Sequence, residues 1–289
     1  MSRTAQIFIC VAVALLAVLS CLFVGYVLVE GIEDEEREAR FEQKQEFFEA
    51  IRQNDADAVR DMLQKDPRLA NETLAESPEE YEITLCDDTP LIASSGRAEI
   101  MRMLLDFGAD VNKQTPITGR YPLASMLTED HYLRYNDADL MISRGARLDA
   151  VDMINGNLPY AALACRAEDA RQEKVWGYLV MAVREGVSLD IAEGFDSPYT
   201  SLLGLAAENG YYLAAEYLVK SCGFDVNAAV NVGGKTPLMI AMENREYETF
   251  DTLLDLGAKT TVRDALGHDV RYYAKILDDQ RINTILRNP

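Results

Sequence analysis

Few side chains in this sequence could carry out acid–base, nucleophilic or metal chemistry. Its 289 residues include two histidines, His131 and His268, and five cysteines without any Cys-x-x-Cys pair or Cys/His cluster. General acid–base catalysis most often uses histidine, and structural zinc sites need closely spaced Cys or His ligands. We therefore predict no metal site, no disulfide framework and no cofactor.

One short stretch, from Val232 to Thr236, superficially resembles a phosphate-binding loop. That signature needs a glycine five positions before its final glycine, and Ala229 occupies this position here. The Gly-Lys-Thr residues also coincide with a turn and helix-cap pattern found elsewhere in the chain, which favours a structural role. No Ser or Cys nucleophile sits in a catalytic motif either. We therefore expect no enzymatic activity and no small-molecule substrate.

The charge balance bears on the kind of partner. Lys and Arg number 28 against 48 Asp and Glu, so the formal net charge is -20. An acidic surface repels phosphate backbones, and nucleic acid is therefore not an expected ligand. A basic protein partner is favoured instead, because opposite fields speed association.

The elements that would position any functional residue begin with an apolar segment. The 23 residues Ile7–Val29 contain no charge, and as a helix they would span about 34 Å, enough for a hydrocarbon core of ~30 Å. A cleavable signal peptide is the alternative, but its apolar stretch is about 7–15 residues and ends in small residues. Here the apolar run continues past Cys21. Residues 1–29 are therefore predicted to be a short tail and one uncleaved transmembrane helix.

The orientation of this anchor rests on conflicting charges. The basic residues Arg37, Arg40 and Lys44 follow the segment and favour a cytoplasmic body, whereas acidic residues lie directly at its exit. A six-residue tail is most simply left inside, and long domains cross largely regardless of charge. We expect a single-pass membrane protein whose body lies outside the cytoplasm, which would be the periplasm in a Gram-negative bacterium.

Two further regions follow the anchor. Residues 33–53 are rich in strong helix formers and lack Gly and Pro, so 30–46 is assigned to a charged helical stalk. The remainder, 47–289, repeats itself. Positions equivalent to the proline of Thr-Pro-Leu recur at a spacing close to a unit of ~33 residues, namely at residues 90, 122, 159, 202 and 237.

The repeated threonine, proline and glycine residues are suited to starting and ending helices. A threonine, Thr89 or Thr236, can cap a helix, and the proline after it fits the first helical position, where a missing N–H is harmless. A second helix ends at a glycine that can adopt a left-handed conformation, as at Gly108, Gly145 and Gly257. One helix pair cannot bury its own apolar face, so neighbouring pairs must stack.

These motifs resemble the ankyrin repeat from about Phe47 to the C-terminus. The resemblance implies an all-α fold, an ankyrin-type solenoid of about seven helix-pair repeats, preceded by the one transmembrane helix. Phe47–Asn71 and Val262–Leu286 resemble the first and closing repeats. The histidine that commonly follows Thr-Pro-Leu in the family is absent, and its positions hold Ile92, Ala124, Ala161, Gly204 and Met239.

The resemblance also implies protein recognition through finger-like turns and the inner row of helices. Turn aromatics and arginines are of the types enriched at binding hot spots, and Arg120, Tyr121, Phe195 and Tyr199 are predicted partner-binding residues. An alternative interpretation is that Tyr121 and Tyr199 only cover neighbouring repeats. We predict a membrane-tethered protein-interaction scaffold. The alternative is an acidic immunity- or inhibitor-type protein that neutralises a basic toxin or enzyme.

Overall fold

The computed structural model describes residues 36–74, 88–128, 135–151, 156–164, 169–191 and 197–278. The predicted anchor Ile7–Val29 therefore lies outside the described residues, as do Phe195 and His131. Among the helices that are described, none has both the length and the apolar character needed to span a bilayer.

The described chain is built from short helices in successive pairs. We number them α1 (36–52), α2 (Ala56–Lys65), α3 (Pro90–Ala93), α4 (Ala98–Asp106), α5 (Pro122–Thr128), α6 (Tyr135–Ser143), α7 (Leu158–Leu163), α8 (Asp169–Arg184), α9 (Leu202–Asn209), α10 (Tyr212–Lys220), α11 (Pro237–Asn244), α12 (Tyr247–Asp255) and α13 (Val270–Ile276). A 3-10 helix, Pro67–Asn71, follows α2.

The pairs stack into a solenoid with two rows of helices. In the first row, α3 packs on α5, α5 on α7, α7 on α9, α9 on α11 and α11 on α13. In the second row, α2 packs on α4, α4 on α6, α8 on α10 and α10 on α12. The described residues thus contain six complete helix pairs and α13 as the first helix of another. This arrangement confirms the predicted all-α solenoid.

Helix starts follow the predicted capping. The Thr89 hydroxyl accepts the Ile92 N–H at 3.3 Å, and the Thr236 hydroxyl accepts the Met239 N–H at 3.4 Å. In α7 the cap is Asn157, whose side chain accepts the Tyr160 N–H at 3.0 Å. The proline at 159 is therefore the second residue of its helix, one place later than the proline alignment predicts.

Helix ends also follow the prediction. Three second-row helices are followed by a glycine in the left-handed region, with φ of 90° at Gly108, 89° at Gly145 and 92° at Gly257. A residue with a Cβ would be strained there, so these glycines set the point at which each helix stops.

The described part of the predicted stalk lies in the same helix as the first residues of the repeats. Helix α1 runs without a break from 36 to 52 and is fastened by charged side chains to the two residues that flank the 3-10 helix after α2. The Arg40 guanidinium bonds to the carboxylates of Asp66 and, at 2.8 Å, of Glu72. The buried Lys44 ammonium lies 3.2 Å from Glu72. These bonds fasten the charged end of α1 onto the solenoid.

Asparagine side chains join consecutive repeats. Asn112 donates to the Gly145 carbonyl at 3.1 Å and accepts the Arg147 N–H at 2.8 Å. Asn71 and Asn227 make the same pair of bonds to the repeats that follow them. At the two intervening positions the residues are Asp149 and Asp190, whose carboxylates cannot donate to a carbonyl. Two junctions in the middle of the stack therefore lack this bridge.

Candidate partner-binding site

Two of the turns that precede first-row helices, those before α11 and α13, present exposed apolar tips. In the turn 228–235, the Val230 N–H donates to the Lys235 carbonyl at 2.8 Å, and Gly234 is left-handed with φ 72°. Val232 at its tip is 97% exposed, and Leu266 in the next turn is 78% exposed. Solvating such side chains is unfavourable, so they gain free energy when a partner covers them.

Backbone hydrogen bonds join these turns to one another. The Thr200 N–H donates to the Val230 carbonyl at 2.8 Å, and the Ala265 N–H donates to the Gly233 carbonyl at 3.0 Å. Three consecutive turns are thus linked, which limits the conformational entropy that a partner would have to freeze out.

Beside the turns, the first-row helices present carboxylates at a repeated place. Glu208 is the seventh residue of α9 and Glu243 is the seventh residue of α11. The Lys235 ammonium lies 2.6 and 2.8 Å from the two carboxylate oxygens of Glu243 and 5.0 Å from the centre of the Tyr273 ring. Lys235 and Thr236 therefore take part in turn and cap contacts, in agreement with the structural role predicted for Gly-Lys-Thr.

The last described turn is organised around Asp264. Its buried carboxylate accepts the N–H groups of Leu266 at 2.9 Å and His268 at 2.8 Å, and also the Tyr273 hydroxyl. Burial opposes ionisation, but these hydrogen bonds outweigh it and lower the pKa of Asp264. Burial, and next the bond to Asp264, raises the pKa of Tyr273. His268 stacks on Tyr272 with ring centroids 3.5 Å apart. Together with its N–H bond to Asp264, this contact gives His268 a structural role in the turn.

Arg120 and Tyr121 lie together in the turn 113–121. The Arg120 guanidinium bonds to Asp88 at 2.6 Å and to the Thr118 hydroxyl at 3.3 Å, and its side chain is 16% exposed. Asp88 belongs to the preceding turn, so this ion pair links two consecutive turns. Tyr121 is half-buried directly before α5. Only part of each side chain is therefore accessible to a binding partner.

Tyr199 is placed differently from the prediction. Its side chain is 7% exposed and belongs to the apolar core. The ring lies against Gly204 and near Val230, in the space that a Cβ on Gly204 would enter. Burial, followed by the Glu208 carboxylate, raises the pKa of Tyr199. The idea of an exposed aromatic anchor is thus corrected, and Tyr199 covers a neighbouring repeat. A glycine opposite the ring makes room for it.

Sequence reasoning overlooked Val232 and Leu266. Each is an apolar residue directly before a glycine at the tip of a turn. This pattern could have predicted their exposure, because a residue at the tip of a turn has few neighbours to cover it.

In the part of the chain that is described, no group of three or more His, Cys, Asp or Glu side chains is placed to hold a metal ion.

Comparisons with known proteins agree with this geometry. Residues 86–116 match the family model "Ankyrin repeat", and residues 155–264 match "Ankyrin repeats (3 copies)". The chain contains ankyrin repeats. Between the two matched regions the structure adds the pair α5 and α6, where the sequence motif is weakest.

A solved structure shares the ankyrin fold. The crystal structure of the human ASB11 ankyrin repeat domain superposes with a TM-score of 0.53 at 17% identity, over 78% of this chain and 89% of that one. At this identity the likeness concerns the fold alone. A search of curated proteins gave no significant match.

Proposed function

We propose that this protein is a membrane-tethered scaffold that binds a protein partner through the turns of its ankyrin repeats. Ankyrin repeats generally mediate protein–protein interaction. The chain contributes a solenoid with exposed apolar turn tips, and its first-row helices carry carboxylates beside them.

The exposure of Val232 and Leu266 supports the proposal most directly. Two aliphatic side chains at 97% and 78% exposure stand on adjacent turns that are hydrogen bonded to each other. Apolar groups fixed in this way are suited to filling a partner's pocket, where a few buried anchors supply most of the binding energy. Arg120, Tyr121 and Phe195 are proposed to extend this surface along the turns.

Charge defines the partner further. The net charge of -20 favours a basic protein, whose approach it would accelerate. Glu208 beside the turns provides a carboxylate for a lysine or arginine of that partner, in addition to its bond with Tyr199.

The tether is proposed from the sequence of Ile7–Val29, which is long and apolar enough to span a bilayer. It would hold the repeats at the membrane surface and outside the cytoplasm. Confinement to a surface raises the effective concentration for a partner in the same compartment.

Site-specific photo-cross-linking tests the binding surface. A photoreactive amino acid replaces Val232 or Leu266 in the full chain, in its native host. The matched control carries it at Asp255, an exposed residue at the end of α12 in the second row. We expect the same protein adduct at 232 and 266 and none at 255. Adducts of equal yield at all three positions, or at 255 alone, would contradict the proposed surface.

The same adducts decide between scaffold and inhibitor. Mass spectrometry identifies the cross-linked partner, and the purified full chain is then added to it. A basic toxin or enzyme that loses its activity stoichiometrically would establish the neutralising function. A partner whose activity is unchanged would support the scaffold.

A further inference from the structure

The last described helix, α13, exposes two large apolar side chains, and one of them stands at a position that other first-row helices bury. Its third residue, Tyr272, is 40% exposed, and its seventh residue, Ile276, is 62% exposed. The third residues of α3, α5, α9 and α11 are all buried, namely Ile92, Ala124, Gly204 and Met239. Those helices are covered by a following repeat. Stacked repeats bury such a face against the repeat that follows, and within the described residues no repeat follows α13.

Basic side chains surround this apolar surface. Arg263, Arg271 and Lys275 are all exposed. The Arg271 guanidinium lies 3.8 Å from the Asp269 carboxylate and donates to the Thr260 hydroxyl at 3.5 Å, and its side chain remains 47% exposed. Residues 256–289 carry six Lys and Arg against four Asp, a net charge of +2 in a chain of net charge -20. We call Arg271, Tyr272, Lys275 and Ile276 the basic end.

The opposite end of the stack is acidic. In α1, the core-facing residues include Phe47 and Ile51, and the opposite face carries Glu42, Glu46 and Glu49, all exposed. Their spacing of four and three residues places them in one row along the helix. Residues 30–88 contain 20 Asp and Glu against seven Lys and Arg, a net charge of -13. We call the three glutamates the acidic end.

We propose that a second copy of this chain covers the basic end, with its acidic end packed against it head to tail. Burial of Tyr272 and Ile276 supplies the apolar contact, and Arg271 and Lys275 meet the glutamate row of the neighbour. Opposite potentials favour this register, whereas two acidic ends or two basic ends repel each other. The contact uses different surfaces on the two copies, so each added copy leaves one end of either kind open.

Paired charge reversals test the head-to-tail contact in the full chain, purified in mild detergent. The tail variant carries Arg271→Glu with Lys275→Glu, and the head variant carries Glu46→Lys with Glu49→Lys. All four side chains are exposed, so circular dichroism should stay unchanged. Sedimentation velocity over a concentration series measures self-association, and mixing differently tagged copies measures co-capture.

We expect the unaltered chain to associate with rising concentration and to dissociate as salt is added. Each variant alone should associate at least about tenfold more weakly, because its two ends then carry the same sign. A mixture of the two variants should regain association. The reversed tail of one then faces the reversed head of the other, and their unaltered ends also match.

Three outcomes would overturn the proposal. The first is an unaltered chain that stays monomeric up to about 100 µM, a concentration at which even weak specific contacts form. The second is a head variant that still associates fully while the tail variant does not, since the basic end would then bind another surface. The third is a mixture that fails to regain association. None of these variants alters Val232 or Leu266, so partner cross-linking at the turns is judged separately.

Discussion

At the scale of single residues, the sequence predicts what a residue does to its own backbone better than what its side chain touches. Thr89 and Thr236 cap helices and Gly108 is left-handed, as their types and places indicate. The place of Tyr199 in a turn predicts either a binding residue at the surface or a ring that covers a neighbouring repeat, and the sequence does not decide between them. The burial of this ring depends on Gly204 and Val230, which meet it only through the fold.

The burial of Tyr199 leads to a stability prediction. We expect Tyr199→Ala to lower the free energy of unfolding by about 3–5 kcal/mol, the usual cost of removing a buried aromatic ring. Tyr199→Phe is the matched control, because it keeps the ring and loses only the hydroxyl bond to Glu208, worth about 1 kcal/mol. Urea denaturation followed by circular dichroism measures both. An alanine variant of unchanged stability that fails to bind a partner would restore the ring as a binding anchor.

At the scale of elements, the repeated residues that cap and end helices predict the helix pairs. They do so even for α5 and α6, where the repeat motif in the sequence is weak. The limits of α1 could not be predicted in the same way. Arg40 and Lys44 look like residues of a solvated stalk, but their partners Asp66 and Glu72 are far away in the sequence. Local patterns do not encode such pairs. The sequence alone therefore assigns 30–46 to a stalk and gives no sign that its residues from 36 onward share one helix with Phe47.

The unbridged junctions give a prediction about elements. A cleft lined by Ile142, Met181 and Val187 lies at the junction after α6. We expect Asp149→Asn to stabilise this junction by about 1 kcal/mol, because the amide can donate to the Gly186 carbonyl as Asn112 donates to Gly145. The ion pair it replaces, between Asp149 and Arg147, is well exposed and contributes little.

The matched control reverses the exchange. Asn112→Asp removes the donor from an existing bridge at the protein surface, so we expect a loss of about 0.5–1.5 kcal/mol, the net value of one hydrogen bond. Urea denaturation midpoints at constant m-value compare the two variants. Equal midpoints for both variants and the unaltered chain would show that the asparagine bridges do not determine junction stability.

At the scale of the whole molecule, the total charge says less about possible contacts than the distribution of charged residues along the chain does. The net charge of -20 excludes little about the fold. Its uneven distribution, acidic at α1 and basic at α13, becomes meaningful only once the solenoid places these regions at opposite ends. The apolar segment before α1 adds a third feature, because it would fix the acidic end of every copy close to the membrane.

This tether leads to the last prediction. If Ile7–Val29 spans a bilayer, alkaline carbonate should leave the full chain in the membrane pellet. Leu15→Arg with Leu16→Arg should release it, because each arginine near the centre of a span costs about 2.5–3.5 kcal/mol. Glu36→Arg, outside the segment, is the control and should stay in the pellet.

Protease added to intact spheroplasts should digest the repeats, since we propose that they lie outside the cytoplasm. Full protection would reverse the orientation and keep the anchor, whereas release of the unaltered chain by carbonate would remove the anchor itself.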